Sequence, residues 1–392
     1  VQHFDLAIIG GGLVGASFAR AVSRSGLSAV LIDKAPATSL YDKSLDNRGL
    51  ALSYTTQQIL DELSCWERLS KQAYPIEKVH VSEQNSFGFT ILDAKKYNLA
   101  ALGYVVSASD LGAELLTGIE LLPNVTVFRP AHLENIVFDK LTQNWSLFVA
   151  QQHICAKLIV AADGSNSMLH QLQNIAIKKI DMQQSAVVTN LEITIPNLTT
   201  AYERFTGHGV LALLPFGTNR AKCVFTGPDS FVRELTNCSE IDFASIIQGF
   251  IGYRLGKFKA VSQRNMFPTS HSYADKIYGD SMVLLGNAAN TLHPVAAQGF
   301  NLGLRDAVTL AKVLQQAILE DKNINQTAVL AQYAELRCAD HAKTRDFTFR
   351  LVDVFADPRL HMRLYRRFGI LASQLVPALN QKIVKQGLGL CK

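Results

Sequence analysis

The chain opens on a short apolar run, Phe4 to Ile9, broken by Gly10, Gly11 and Gly12. Such a run, without alternation, predicts a strand buried on both faces. Val14 to Ser25 carries helical spacing and Gly26 marks its end. Ser28 to Ile32 predicts a second buried strand that stops at Asp33, completing one βαβ unit. Residues 45–70 read as largely helical, 76–92 alternate as strands do, 112–122 read as helix and 125–149 as hairpin. Leu158 to Ala161 and Met282 to Leu285 predict short buried strands that run into Asp163-Gly164 and Gly286-Asn287. Between them, residues 186–267 are β-rich (VVTNLEITI, VLALLPF, AKCVFTG) and predict a large antiparallel sheet. Helix follows over 299–319 and through most of the tail to Lys392.

The βαβ material thus recurs at the start, in the middle and near residue 285, with the β-rich stretch interrupting it. The expected fold class is α/β with an α+β insertion. A discontinuous dinucleotide domain would take residues 1–74, 99–180 and 268–335. An inserted sheet domain would take 75–98 and 181–267, and a helical region 336–392.

Composition narrows the function classes. With 48% hydrophobic and 18% charged residues, the chain can bury a large core. A net charge of +5 is too mild to indicate a nucleic-acid binder. The charge is uneven, however: residues 341–392 hold 10 Lys or Arg against 3 acidic residues, which suits an anionic surface such as a membrane face, or a partner protein. The six cysteines form no C-x-x-C and no zinc-ligand spacing, so no metal site is expected and reduced thiols in the cytoplasm are the default. Leu6 to Ala19 lacks a basic leader and is shorter than the ~20 residues that span a bilayer, so neither a signal peptide nor a membrane span is expected.

Three motifs carry chemistry. Gly10-x-Gly12-x-x-Gly15 follows a strand and opens a helix, with Leu13 and Val14 in the first turn. Gly10 allows the tight turn, Gly12 lets a pyrophosphate approach, and Gly15 lets the helix pack on the strand. The helix N-terminus offers N–H donors to the phosphates. Asp33, followed by Lys34, ends the second strand; its carboxylate can accept from two ribose hydroxyls and would repel a ribose phosphate, which points to FAD or NAD. In the second motif, a strand delivers Asp163-Gly164 to its C-terminal end, where ligands bind in open α/β sheets. In the third, Gly286-Asn287 ends a strand, a loop with His293-Pro294 follows, and Gln298-Gly299-Phe300-Asn301-Leu302-Gly303 opens a long helix whose free N–H groups can face an anionic group. No second G-x-G-x-x-G unit provides a separate nicotinamide domain.

The three motifs, in this order, resemble the class A flavin monooxygenases of the aromatic hydroxylase type. DNRGLALS (46–53), LGYVVSASDL (102–111), AYERFTGHGVLALLP (201–215) and the third motif are similar to the ubiquinone-biosynthesis hydroxylases over nearly the whole chain. Gly286-Asn287 with Leu292-His293-Pro294 is most like the 2-polyprenyl-6-methoxyphenol 4-hydroxylases. Three positions depart from the pattern: Ala297 stands where Gly is usual, His170 where Arg often closes the second motif, and Asp110 where Asn-Arg is common.

The resemblance implies an FAD-binding Rossmann-like domain with an inserted antiparallel substrate sheet. It implies that Gly10, Gly12 and Gly15 hold the pyrophosphate, that Asp33 holds the ribose and that Arg48 lies near the phosphates or flavin. Asp163 would touch FAD and help NAD(P)H bind, Asn287 would hold the ribityl chain, and Pro294 with the 299–303 backbone would line the ring. The implied reaction is hydroxylation of a polyprenyl methoxyphenol through a flavin C4a-hydroperoxide, with NAD(P)H and O2 as co-substrates. His293 is the candidate base, and a loop-shaping histidine is its alternative. A non-catalytic FAD-bound scaffold of a ubiquinone-synthesis complex is a second reading, and a flavin reductase or halogenase a third. The expected location is cytoplasmic, peripheral to the inner face of the membrane.

Overall fold

The computed structural model describes residues 1–36, 49–86, 88–196, 198–294 and 297–356, with side chains to residue 349. Arg48 and the tail beyond 356 lie outside the described residues.

The first sheet is built on parallel strands in the order Val125–Phe128, Ala29–Ile32, Gln2–Ile9, Gln152–Ala161 and Met282–Leu284. Leu6 to Ile8, Ala29 to Leu31 and Leu158 to Ala161 are fully buried, which is why they are apolar without alternation. Helix Leu13–Val22 connects the first two strands and packs against helix Gln298–Leu319. The predicted hairpin over 125–149 is divided: Val125–Phe128 joins the parallel sheet, and only Leu133–Asp139 and Asn144–Val149 pair with each other.

The large second sheet runs Asn290–Thr291, Asn265–Ala274, Ile177–Ile193, Arg220–Pro228, Val210–Pro215, Thr200–Phe205, Lys78–Glu83 and Phe89–Asp93. It is antiparallel except where Thr200–Phe205 pairs parallel with Lys78–Glu83. Helices Asp229–Asn237 and Glu240–Ile251 cover one of its faces, where Leu211, Leu213, Cys223 and Phe225 pack with Phe243 and Ile247. Neither helix is anticipated by the β-rich reading of 186–267. Their apolar positions fall at helical spacing, and Ser239 caps the second by accepting from the Asp242 N–H.

A small third sheet joins Gly49–Ser53, Gly103–Ser107 and Tyr74–Ile76. It corrects the helical reading of 45–70: residues 49–53 are strand, and helix begins at Tyr54 with Ser53 as its cap. Helix Thr327–Ala356 packs along Gln298–Leu319. Among the described residues, no helix is long and apolar enough to cross a membrane.

Candidate active site

The three motif-bearing strands are neighbours in one sheet. Ile9 lies beside Ala161, and Ala161 beside Leu284, so the three chain ends leave the sheet side by side. Backbone bonds fix them: Ala162 N–H donates to the Ile9 carbonyl at 2.8 Å and Leu285 N–H to the Ala161 carbonyl at 2.8 Å.

The glycines divide by what surrounds them. A Cβ on Gly10, whose φ is +101°, would lie 2.5 Å from the Ala162 carbonyl oxygen, and one on Gly15 only 1.9 Å from that of Gly10. These two serve chain packing. A Cβ on Gly12 would meet nothing within 4 Å. Gly12 precedes helix Leu13–Val22 and supplies no side-chain cap, so the first-turn N–H groups face an open cradle. That is the shape and polarity a pyrophosphate needs, and FAD fits it.

Asp33 closes the other end. One carboxylate oxygen accepts from the Gly11 N–H, the other from the Ala35 N–H at 2.7 Å. Each oxygen keeps a second lone pair for a ribose hydroxyl. Lys34 beside it is exposed. Arg129 also belongs here: it donates to the Ala35 carbonyl at 2.8 Å and to the Gly11 carbonyl at 3.2 Å. No spacing in the sequence marks it.

Asp163 stands exposed beyond its strand, yet crowding by protein atoms raises its carboxyl above the ordinary range, against a lowering bond from Ser167. Gly164 takes φ +90°. His170, the departure from the pattern, is buried and its Nε2 donates to the Ala288 carbonyl at 2.7 Å. It ties the second motif to the turn at Gly286. Ser107 caps helix Ala108–Leu116: its hydroxyl accepts from the Asp110 N–H at 2.9 Å and donates to the Asp110 carboxylate at 2.6 Å.

In the third motif, Gly286 turns with φ +57° against Val14, while Asn287 is exposed at the strand end. The helix-opening residues do not all face a ligand. Asn301 has its side chain fully engaged with protein. Its Oδ1 accepts from Ser53 N–H (3.0 Å) and Thr56 Oγ1 (2.7 Å), and its Nδ2 donates to the Ala51 (3.0 Å) and Ala297 (2.9 Å) carbonyls. Leu302 is buried, and a Cβ on Gly303 would stand 2.7 Å from Val14 Cγ2. The side-chain positions of Asn301, Leu302 and Gly303 serve helix packing, which leaves their backbone as the part that can face a cofactor. Val14 likewise packs inward, and Phe300 rests on the main core. Gln298 is buried, whereas Gly299 faces open space.

Ala297 occupies a backbone conformation that favours glycine. It precedes the helix at φ +49°, ψ +37°, a left-handed conformation that costs an L-residue about 1 kcal/mol. Ala297→Gly is expected to stabilise the protein by about that amount, read as a raised urea midpoint at unchanged slope.

His293 is almost fully buried, and Pro294 after it is exposed. Burial, with the nearby His271 adding to it, lowers the His293 imidazole to about 4. His271 is itself lowered to about 4 by burial and Arg345. The loop is anchored at both ends: Asn290–Thr291 pairs with Ser272–Tyr273 of the second sheet, and Asn290 donates to His341 Nδ1 at 3.1 Å.

With this geometry in hand, relatives identify the family. Residues 3–348 match the family described as FAD binding domain. Ubiquinone hydroxylase UbiL of Rhodospirillum rubrum is 30% identical over 99% of this chain and 90% of its own length. The chain belongs to the FAD-binding family of the ubiquinone hydroxylases. The 3-demethoxyubiquinol 3-hydroxylase of Escherichia coli, in the same family, is 28% identical over 99% of both chains. Among solved structures, p-nitrophenol 4-monooxygenase PnpA from Pseudomonas putida DLL-E4 superposes with a TM-score of 0.79 at 15% identity, over 99% of each chain, which shows a shared fold.

Proposed function

We propose that this protein hydroxylates the ring of a polyprenyl methoxyphenol in ubiquinone biosynthesis, with FAD as cofactor and NAD(P)H and O2 as co-substrates. One observation carries the reading. The strand ends at Ile9, Ala161 and Leu284 open side by side, and the loop leaving the third pairs directly with the edge of the large sheet through Asn290–Thr291. A dinucleotide held at the strand ends would thus have its reactive end beside that sheet. Bound there, FAD supplies electron transfer from NAD(P)H to O2 and delivery of one oxygen atom to the ring.

The chain's own residues do the positioning. Gly12 and the N–H groups of Leu13, Val14 and Gly15 receive the pyrophosphate, with Gly10 shaping the turn, and Asp33 receives the ribose. Asp163 and Gly164 border the middle of the cofactor. Gly286 and Asn287 border the ribityl chain, and Pro294 with the backbone from Gln298 and Gly299 borders the ring. The apolar sheet excludes water, which would otherwise divert the reaction to H2O2.

His293 enters as a neutral group. With its imidazole lowered to about 4 and a phenol near 10, full proton transfer would be uphill by roughly 8 kcal/mol, so it acts as a hydrogen-bonding and loop-shaping residue. His293→Ala is expected to lower hydroxylation about tenfold or more while FAD remains bound. Unchanged turnover in the FAD-loaded variant would remove His293 from the mechanism.

The reading as a whole is tested with ¹⁸O2. Purified protein should be yellow, should oxidise NAD(P)H faster when a short-chain prenyl methoxyphenol is added, and should place label in the product. Cofactor oxidation without labelled product would favour a reductase. No stimulation by any prenylphenol in the FAD-loaded protein would favour a scaffold.

A further inference from the structure

The large sheet has a second face, opposite its two helices. Side chains alternate along a strand and directly paired residues share a face. Leu211, Leu213, Cys223 and Phe225 point to the helices, so Ala212, Leu214, Lys222 and Val224 point away. This second face adjoins the flavin motifs: the Lys222 side chain packs against Gly49, whose strand is held by Asn301.

Cross-strand register lays one continuous row across it. Val81 pairs with Glu203, Glu203 with Ala212, Ala212 with Val224, and Val224 with Val188. Val81, Glu203, Ala212 and Val224 are all partly accessible. The adjacent rows hold more deeply buried residues, Ala201 and Lys222 on one side and Phe205, Thr226 and Ala186 on the other. Val79 and Leu214 on the first side and Val210 on the second are as accessible as this row, so it is read as the floor of a shallow trough whose sides are only partly buried. Four strand spacings make it about 19 Å long.

Glu203 is the polar exception on that floor. Among the described residues its carboxyl has no hydrogen-bond or ion-pair partner. Crowding by protein atoms pushes its titration up, although part of the residue remains accessible. Lys222 does not serve it: the two lie two strands and two residues apart, about 12 Å at the backbone, and the ammonium sits 4.1 Å over the Phe216 ring. Lys222, Thr226 and Glu83 make the sides partly polar, but on a floor otherwise formed by Val81, Ala212, Val224 and Val188 a carboxyl without a protein partner is costly unless a ligand completes it.

We propose that this trough is the substrate groove and that the Glu203 carboxylate accepts the hydrogen bond of the phenol hydroxyl, while Val81, Ala212, Val224 and Val188 carry the ring and its apolar chain. The proposal rests on the hydroxylase reading above and names the residue that would orient the ring.

The test uses full-length FAD-loaded protein, titrated with a short-chain prenyl methoxyphenol and with its O-methyl ether, read as perturbation of flavin absorbance. Glu203→Leu is expected to weaken the phenol about tenfold or more, and Glu203→Gln severalfold, because a charged acceptor is lost. Neither should change binding of the ether, which cannot donate. Hydroxylated product per NAD(P)H should fall and H2O2 rise in the same order. FAD content and the unfolding midpoint report folding; if Leu abolishes it, Gln carries the test alone. Phenol binding unchanged in the folded variants, or phenol and ether weakened alike, would overturn the role of Glu203. A wild-type protein that neither binds nor hydroxylates the phenol would instead overturn the hydroxylase reading, and the two failures are distinguished by that control.

Discussion

Gly15→Ala should give a protein that is destabilised by on the order of 3 kcal/mol and binds little FAD. The added Cβ would stand 1.9 Å from the Gly10 carbonyl oxygen, and both atoms belong to backbone that the sheet holds in place. Gly10 N–H donates to the Ile32 carbonyl at 2.8 Å, so the turn cannot retreat without breaking the edge of the parallel sheet. The helix must move out instead, and its movement opens the contact with Gly286 and Gly303 made through Val14. Gly12→Ala is the informative contrast. Its Cβ would meet nothing, and Gly12 already has ordinary φ −68°. That variant should unfold at the wild-type midpoint without cofactor, yet bind FAD at least tenfold more weakly, because the methyl fills the cradle the phosphates need. Flavin-to-protein absorbance ratios and denaturation of cofactor-free protein separate the two. Equal behaviour of the two variants would mean that the cradle at Gly12 is not where the dinucleotide lies.

The same contrast shows what could be read from residues alone. The order strand, glycine turn, helix, acid is local, so the path from Phe4 to Asp33 was legible, as were the strands ending at Ala161 and Leu284. That these three ends lie side by side is a matter of sheet order, which the resemblance supplied and spacing does not. Residues 49–53 were misread because Leu50 and Leu52 suit a helix as well as a short strand; pairing with Gly103–Ser107 decides it. The helices at 229–237 and 240–251 were lost among β-branched neighbours. Asn301 sat inside a cofactor motif, and nothing in its spacing reveals four bonds to protein. Nothing in the spacing of AYERFTGHGVLALLP marks Glu203, since its isolation depends on neighbours from three other strands.

The remaining structure that sequence spacing hid is a buried charge network between the last two described helices, and it sets the second large effect. Asp306, fully buried, accepts at one oxygen from Arg337 Nε at 2.5 Å and from His341 Nε2 at 2.8 Å. Asp340 accepts from Arg305 Nε at 2.8 Å and from Arg337 Nη2 at 2.5 Å. His341 passes the connection to Asn290, two residues before Leu292-His293. Asp306→Ala would leave Arg337 and His341 facing an empty buried site, and should cost about 3–5 kcal/mol. The pH dependence follows from the same groups. Burial raises the Asp340 carboxyl, but the bond and charge of Arg305, with Arg337, outweigh it and bring it to about 2, below the unfolded 3.8. Its stabilisation is complete above pH 3.8 and is lost as the pH falls towards 2, about 2 kcal/mol in all. His271 and His293 act at higher pH. Both sit near 4 when folded against 6.5 when unfolded, so the unfolded chain binds protons first and stability declines between pH 6.5 and 4. Urea midpoints across pH should therefore fall in two stages. His271 packs its ring on Phe349 at 4.2 Å, and among the described residues neither ring nitrogen has a hydrogen-bond partner. His271→Phe should accordingly flatten the upper stage without loss of stability at neutral pH, and Asp340→Asn should flatten the lower stage while lowering the neutral midpoint. An upper stage that persists unchanged in His271→Phe would assign it to His293 alone, and a lower stage untouched in Asp340→Asn would show that the helix-to-helix network does not hold helix Thr327–Ala356 against the loop at Asn290.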